Sequence, residues 1–205
     1  MNWLRLLVLR DPDVGPHAAD FDALLARTPT GGTIEYDLPQ PKWWLLHHLV
    51  RSGYVLHGSN EQGIVEFETR PNFDAHNARH LDAVFATDDA IWPLYFAVVN
   101  RPFAQSYINW CEHVRGASRY LFSIGSRPSD PRSWTDGTIY VLPRDTFTPT
   151  PETRELTSLV PVAPRARLHV TPDDFPFRRQ TRGHRRGDSV RRVVVRNVLR
   201  LPSLR

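Results

Sequence analysis

The sequence predicts one α+β domain, in which several β-strands are combined with short helices. Apolar residues recur at the spacing of one helix face in residues 20–27 and 42–51, which predicts two short helices. Runs rich in β-branched and aromatic residues predict strands farther along, among them residues 119–124 and 138–142. A chain of 205 residues is about the size of one domain, so we expect both kinds of element to share a core.

Turn residues limit the first elements. Breakers at residues 29–32 end the first helix, and residues 33–38 then alternate like a strand. The helix at residues 42–51 is closed by a glycine and leads directly into a strand at residues 54–57.

The middle of the chain begins with a polar segment, residues 61–81, which predicts a loop with a short strand near residues 64–67. Residues 83–86 are a short apolar run that predicts a strand. The side chains of residues 87–89 are expected to cap a helix at residues 90–99.

Two later β-rich runs, residues 119–124 and 138–142, are separated by a segment rich in Gly, Pro, Ser and Asp. We interpret them as a pair of strands joined by a longer loop. A last strand is expected at residues 167–170.

Basic residues are concentrated at the end of the chain, where residues 178–205 contain ten arginines and a single acidic residue, Asp188. The other 16 basic and 21 acidic residues make residues 1–177 mildly acidic. We therefore divide the chain into a domain at residues 1–177 and a basic tail at residues 178–205. Two interpretations of the tail are open: it binds the phosphates of a nucleic acid, or it is a solvated arm.

The sequence of residues 190–201 is compatible with three structures, an edge strand, a helix that forms on a partner, or a disordered arm.

Cysteine and hydropathy patterns predict the compartment. The one cysteine, Cys111, cannot form an intramolecular disulfide, and the scattered histidines lack the spacing of a structural zinc site. The apolar first ten residues are too short for a signal peptide or a membrane span and are interrupted by Arg5. We expect a cytoplasmic protein that has no metal and does not bind a membrane.

His57 and Gly58, at the end of a predicted strand, have two interpretations. A histidine on a strand is most often structural, and Gly58 with Ser59 then forms an ordinary turn. Alternatively, a glycine in a strand lets another group approach the backbone, as a flat carboxamide ligand would. Neighbouring helical side chains point about 100° apart, so we interpret His47 and His48 as structural.

The run Leu56-His57-Gly58-Ser59 resembles the first motif of the ADP-ribosyltransferase family, of the poly-ADP-ribose polymerase type. In that family the histidine bonds ribose hydroxyls of NAD, and the glycine backbone holds the nicotinamide amide. By resemblance His57 and Gly58 take these roles, and Ser59 belongs to the same NAD site. The resemblance implies an ADP-ribosyltransferase-like fold of split antiparallel β-sheets with short helices.

The second motif of the family is a strand with an aromatic residue that stacks on nicotinamide, followed by a helix. Residues 83–87 and the helix after them resemble it, which makes Phe85, Thr87 and Tyr95 candidate NAD-binding residues. Many members carry tyrosine where Phe85 stands, and a phenyl ring keeps the stacking surface without the hydroxyl. In the alternative interpretation Phe85 is a core residue of an apolar strand.

The third motif is a glutamate at the start of a late strand, where it bonds the 2′-hydroxyl of the nicotinamide ribose. Glu155 is the candidate and Glu152 is the reserve. Breaking the N-glycosidic bond of NAD passes through an oxocarbenium-like state, and a carboxylate stabilises its positive charge. The resemblance therefore implies Glu155 and His57 as the catalytic residues.

The implied activity is transfer of ADP-ribose from NAD, or hydrolysis of NAD, with no metal. The acceptor is open between a protein and a nucleic acid. Arginine is not supported, since arginine-modifying members have two acidic residues separated by one position. Two alternatives share the fold. One is a non-catalytic binding module whose tail contacts a nucleic acid or an acidic partner, and the other is a toxin whose NAD consumption a partner holds in check.

Overall fold

The computed structural model describes residues 6–74, 79–114, 117–150, 155–185 and 187–199. These residues form two β-sheets and a few short helices, which confirms the α+β class. The strands are β1 (Leu7–Leu9), β2 (Gly32–Thr33), β3 (Tyr54–Ser59), β4 (Arg70–Asp74), β5 (Arg79–Thr87), β6 (Tyr107–Val114), β7 (Ala117–Ile124), β8 (Gly137–Pro143), β9 (Thr148–Pro149), β10 (Glu155–Ser158), β11 (Ala166–Val170) and β12 (Arg182–Gly183). The α-helices are α1 (Ala18–Arg27), α2 (Lys42–Arg51), α3 (Trp92–Val98), α4 (Arg101–Ala104) and α5 (Val190–Leu199).

The larger sheet has the strand order β2-β11-β8-β3-β5-β10-β9, and β4 also pairs with β5. All of these pairs are antiparallel except β2 with β11. The strand β3 therefore lies at the centre, between β8 and β5.

The smaller sheet is built around β7. Along one edge β7 pairs with all of β6, and along the other it pairs with β1 and β12. Its face toward the larger sheet carries Tyr120 and Phe122, which stack with ring centroids 5.7 Å apart.

The main core lies between the two sheets, and α3 is buried within it. Two glycines let the backbone of α3 approach the larger sheet closely. A Cβ atom at Gly58 on β3 would lie 1.9 Å from the carbonyl oxygen of Pro93, and one at Gly137 on β8 would lie 2.0 Å from that of Ala97. On the other side of α3, the Tyr95 ring packs on Phe122 of the smaller sheet.

Of residues 87–89, which were predicted to cap a helix at residues 90–99, Asp89 binds the start of α3, which begins at Trp92. The Asp89 carboxylate accepts hydrogen bonds from the backbone N–H groups of Ile91 and Trp92, at 2.8 and 2.7 Å. These are donors that have no partner within the helix, so the carboxylate fixes where the helix begins. Its other oxygen accepts from the Tyr120 hydroxyl at 2.8 Å, which ties α3 to the smaller sheet.

Several strands differ from the prediction. Residues 119–124 and 138–142 are strands, but they do not pair with each other, because β7 belongs to the smaller sheet and β8 to the larger one. Of the strand expected at residues 33–38 only Thr33 is in a strand, at the end of β2. The loop expected at residues 61–81 contains β4 and the beginning of β5, which pair with each other.

The segment after Phe177 also differs from the predicted division into domain and tail. Strand β12 pairs with β7 in parallel, and His184 beside it is buried and hydrogen-bonded to the Ser123 hydroxyl at 2.8 Å. The helix α5 then packs on the smaller sheet, with Val193 buried. Of the three structures considered for residues 190–201, a helix is present up to Leu199. None of the helices within the described ranges is long and apolar enough to span a lipid bilayer.

Candidate functional site

The three sequence motifs lie on three neighbouring strands of the larger sheet. Strand β3 carries His57 and Gly58, β5 carries Phe85 and Thr87, and β10 begins at Glu155. The strands are adjacent in the order β3-β5-β10, in the register that places Leu56 beside Thr87 and Thr87 beside Glu155. Residues far apart in the sequence thus form one row across the sheet, a proximity that the sequence alone does not reveal.

The candidates are divided between the two faces of this sheet. Residues directly opposite each other in an antiparallel pair share a face, and successive residues of a strand alternate between faces. By this rule Gly58, Phe85, Thr87 and Glu155 belong to the face covered by α3. His57 is beside Tyr140 of β8 and belongs to the opposite face, together with Ser59.

The His57 side chain connects β3 to β5. The β3–β5 ladder consists of the single pair Leu56 and Thr87 within the described residues, so the two strands separate beyond it. There the His57 Nδ1 atom is 2.7 Å from the carbonyl oxygen of Phe85. Since a carbonyl only accepts, Nδ1 carries the proton and Nε2 is the acceptor nitrogen.

The surroundings of His57 keep its ring neutral. The imidazole packs against Phe67, with ring centroids 4.7 Å apart, and Phe67 in turn contacts Tyr140 at 5.0 Å. Burial lowers the pKa of His57, an effect partly offset by the hydrogen bond to Phe85. The ring is therefore neutral and not a cation at neutral pH.

Gly58 and Tyr95 both contribute to the packing of α3 between the two sheets. The face of Gly58 is occupied by the Pro93 backbone, so the group that approaches this glycine is the helix. The Tyr95 side chain is completely buried, and its hydroxyl donates to the backbone oxygen of Ser123 at 2.8 Å. Burial raises the pKa of Tyr95 well above its ordinary value, so this hydroxyl stays protonated and bound within the core.

Two of the candidate hydroxyl groups lie in turns. Ser59 Oγ accepts from the backbone N–H of Glu61 at 3.1 Å, and Thr87 Oγ1 accepts from that of Asp89 at 3.1 Å. Both residues are buried. Their side chains therefore shape the segments that follow β3 and β5.

Phe85 and Glu155 are half-buried, like His57, whereas Ser59, Thr87 and Tyr95 are buried. Glu155 is the first described residue of β10 and stands beside Thr87, the last residue of β5. The reserve candidate, Glu152, lies outside the described residues.

A cavity of about 210 Å³ lies where β5 turns into α3, and its lining includes Asp88, the residue after Thr87. It is bounded by the chain after β1, by one face of α2, by the turn before α3 and by β7. Its polar and aromatic lining residues are Arg10, Asp11, Trp43, His47, Arg51, Asp88, Asp89, Ser118 and Tyr120.

His47 is a cavity residue that the sequence interpretation did not identify as functional. Both His47 and His48 are structural in the sequence interpretation, and in the structure the two side chains point in different directions. His48 Nε2 is 2.7 Å from the Asp22 carboxylate, whereas His47 lines the cavity. Trp43, His47 and Arg51 follow one another at intervals of four, which places them on one face of α2. That spacing is the signal from which the site was predictable.

Burial and charge act in opposite directions on His47. Burial lowers its pKa, while the nearby Asp11 carboxylate raises it and the Arg51 guanidinium lowers it. Because burial has the largest effect, the ring is neutral at pH 7. Asp89, also at the cavity wall, is occupied by its hydrogen bonds to the start of α3 and to Tyr120.

Within the part of the chain that the structure describes, no group of three or more His, Cys, Asp or Glu side chains is arranged to hold a metal ion. Comparison with known proteins identifies no relative, because no protein-family model, curated protein or solved structure matches the chain.

Proposed function

We propose that the protein cleaves the bond between nicotinamide and ribose in NAD, as an ADP-ribosyltransferase or an NAD glycohydrolase. The observation that carries this proposal is the row formed by Leu56, Thr87 and Glu155 on β3, β5 and β10. The three motifs that resemble the family occur in its order along the chain. Their meeting on adjacent strands is independent support, since motif order does not determine strand neighbours.

Glu155 has the chemistry that the reaction requires. When the N-glycosidic bond breaks, the bonding electron pair leaves with nicotinamide, which becomes neutral, and positive charge spreads over C1′ and the ring oxygen of the ribose. A carboxylate near the 2′-hydroxyl stabilises this charge most strongly in the transition state. A hydroxyl, carboxylate or water of the acceptor then adds to C1′, and any proton it carries passes to solvent.

His57 and Phe85 have supporting roles. His57 belongs to the face of the sheet opposite Glu155, and the bond from its Nδ1 to the Phe85 carbonyl holds β3 to β5. The half-buried Phe85 ring is on the same face as Glu155 and offers an apolar surface for part of the substrate. The hydrogen bond between the two residues fixes both positions relative to β5.

The test is nicotinamide release from NAD by the purified full-length chain, followed by chromatography. We compare wild type with Glu155→Gln, Glu152→Gln and the matched control Glu66→Gln, which changes an exposed glutamate away from β10. Glu155→Gln is expected to lower the rate by about 100-fold or more, while the Glu66 control keeps the wild-type rate. Loss of activity only in Glu152→Gln would transfer the catalytic role to that residue, and a wild type that neither binds nor cleaves NAD would refute the proposal.

A non-catalytic binding module is the second candidate, and one observation favours it. His57 bridges β3 to β5, and Gly58 is covered by α3, so both have structural roles that need no ligand. In this case exposed arginines, such as Arg185 and Arg191, contact a nucleic acid or an acidic protein. Binding of an RNA oligonucleotide that weakens steeply with salt and is lost in Arg185→Ala/Arg191→Ala, without any NAD cleavage, would favour the module.

A further inference from the structure

The cavity beside the β5–α3 turn lies at the same end of β5 as Thr87 and Glu155. Its wall includes Asp88, the residue after Thr87, and Thr87 is the residue that pairs with Glu155. Thr87 and Glu155 belong to the face of the larger sheet that α3 covers, whereas His57 belongs to the other face. His47 lines this cavity, whereas His57 does not.

One face of α2 gives the cavity an aromatic wall and a polar group. Trp43 and His47 are one helical turn apart, and both are half-buried. Within the described residues the His47 ring has no hydrogen-bond partner, in contrast to His48, which is bound to Asp22. A neutral imidazole facing a cavity with both nitrogens unpaired is able to donate one hydrogen bond to a ligand and accept another.

The cavity is lined by charged groups of both signs, guanidinium groups and carboxylates. The Arg10 and Arg51 side chains are exposed, so they stand where the cavity meets solvent. Guanidinium groups in this position suit phosphate, which they bind in a bidentate manner. Asp11 and Asp88 are carboxylates of the same lining, and carboxylates accept hydrogen bonds from sugar hydroxyls.

The cavity volume limits the size of the ligand. Pockets that enclose a whole drug-sized molecule measure roughly 300–1,000 Å³, and this cavity is smaller, at about 210 Å³. It therefore accommodates one ring with part of its sugar, and the rest of a dinucleotide has to remain outside, near the arginines.

We propose that this cavity binds the nicotinamide nucleoside half of NAD, with Trp43 against the ring, His47 on its polar groups, and the diphosphate at Arg10 and Arg51. This inference rests on the proposed function, since it names where the substrate of that reaction lies. It assigns the ligand-contacting histidine to α2. His57 is then a structural residue that holds β3 to β5.

The sequence provides a matched control, because His47 and His48 are neighbours on α2 with different surroundings. We propose isothermal titration of NAD into the full chain for wild type, His47→Gln, His48→Gln and Trp43→Leu, with thermal denaturation to verify folding. His47→Gln is expected to raise the Kd for NAD about fivefold, which corresponds to one hydrogen bond. Trp43→Leu is expected to raise it about tenfold or more through loss of stacking, and His48→Gln leaves it unchanged.

The outcomes of this experiment distinguish failure of the proposed cavity site from failure of the proposed function. Weaker NAD binding in His47→Gln and Trp43→Leu supports the cavity even if no nicotinamide is released, in which case only the proposed function fails. Nicotinamide release and NAD binding that depend on His57 and Glu155, but not on His47 or Trp43, overturn the cavity and leave the function standing. Absence of NAD binding by the wild type overturns both. If Trp43→Leu does not fold, the comparison of His47 with His48 decides.

Discussion

The variant Gly58→Ala tests whether Gly58 is needed for close packing of α3 on β3 or only for access of a ligand to the backbone. The added Cβ atom would lie 1.9 Å from the Pro93 carbonyl oxygen and 2.7 Å from its carbonyl carbon. Both are backbone atoms, so no side-chain rotation relieves the overlap. Restoring a separation of about 3.5 Å requires α3 to move by roughly 1.5 Å away from β3.

The expected cost follows from this displacement. Inserting a methyl group into a well-packed core costs about 1–3 kcal/mol, and a clash between backbone atoms lies at the upper end of that range. For a chain of this size each kcal/mol corresponds to roughly 2–4 °C. Gly58→Ala is therefore expected to lower the melting temperature by roughly 6–12 °C, as measured by circular dichroism.

Gly15→Ala is the control for this experiment, because a Cβ atom at Gly15 meets only Asp13 Oδ1, at 3.4 Å. Its melting temperature should match that of wild type. If Gly58→Ala is as stable as Gly15→Ala but binds NAD more weakly, the helix is not seated on this glycine, and our interpretation of Gly58 as a packing residue is refuted.

Three further predictions concern a buried histidine, a helix cap and the C-terminal helix. Burial lowers the pKa of His57 in the folded state below 6.5, so the unfolded chain binds more protons as the pH falls below 6.5. Stability should therefore decrease toward the folded pKa by up to about 1.4 kcal/mol per pH unit, and urea unfolding of His57→Gln should show a shallower decrease. Asp89→Ala leaves the Tyr120 hydroxyl and two N–H groups at the start of α3 without their acceptor, and should lower the free energy of unfolding by about 3 kcal/mol in urea unfolding. Val193→Asp places a charge at a side chain that is 1% exposed and should release α5 to limited proteolysis, whereas Val195→Asp, at 46% exposure, should not.

Local patterns were sufficient to predict the elements that carry the first two motifs. The apolar spacing of residues 42–51 and the closing glycine gave the bounds of α2, which is followed at once by β3. Likewise, Asp89 caps the helix that follows β5, as expected from its position before an apolar run. These features depend on residues close in sequence, which is why a single chain reveals them.

Strand partners were less predictable, because they depend on contacts between distant residues. Strands β7 and β8 are consecutive and β-rich, yet they belong to different sheets. The adjacency of β5 and β10 was equally invisible in the sequence, although it places Glu155 beside Thr87.

The roles of single site residues were the least predictable. A glycine in a strand indicates that something approaches closely, but not which group does so, and at Gly58 it is the backbone of α3. A histidine on a strand gives no indication of its face, and here His57 and Glu155 belong to opposite faces. Trp43 and His47 are four residues apart on α2, so the sequence alone predicts that they share a helix face. Only the cavity beside it distinguishes that face from an ordinary packing surface.

The central claim is that Glu155, on the strand next to β5, acts on the nicotinamide bond of NAD. Steady-state rates of nicotinamide formation by wild type and Glu155→Gln over a range of NAD concentrations test it most directly. A carboxylate that acts mainly in the transition state predicts a kcat that is about 100-fold lower or more with a similar KM. Equal kcat values for the two proteins would contradict the claim.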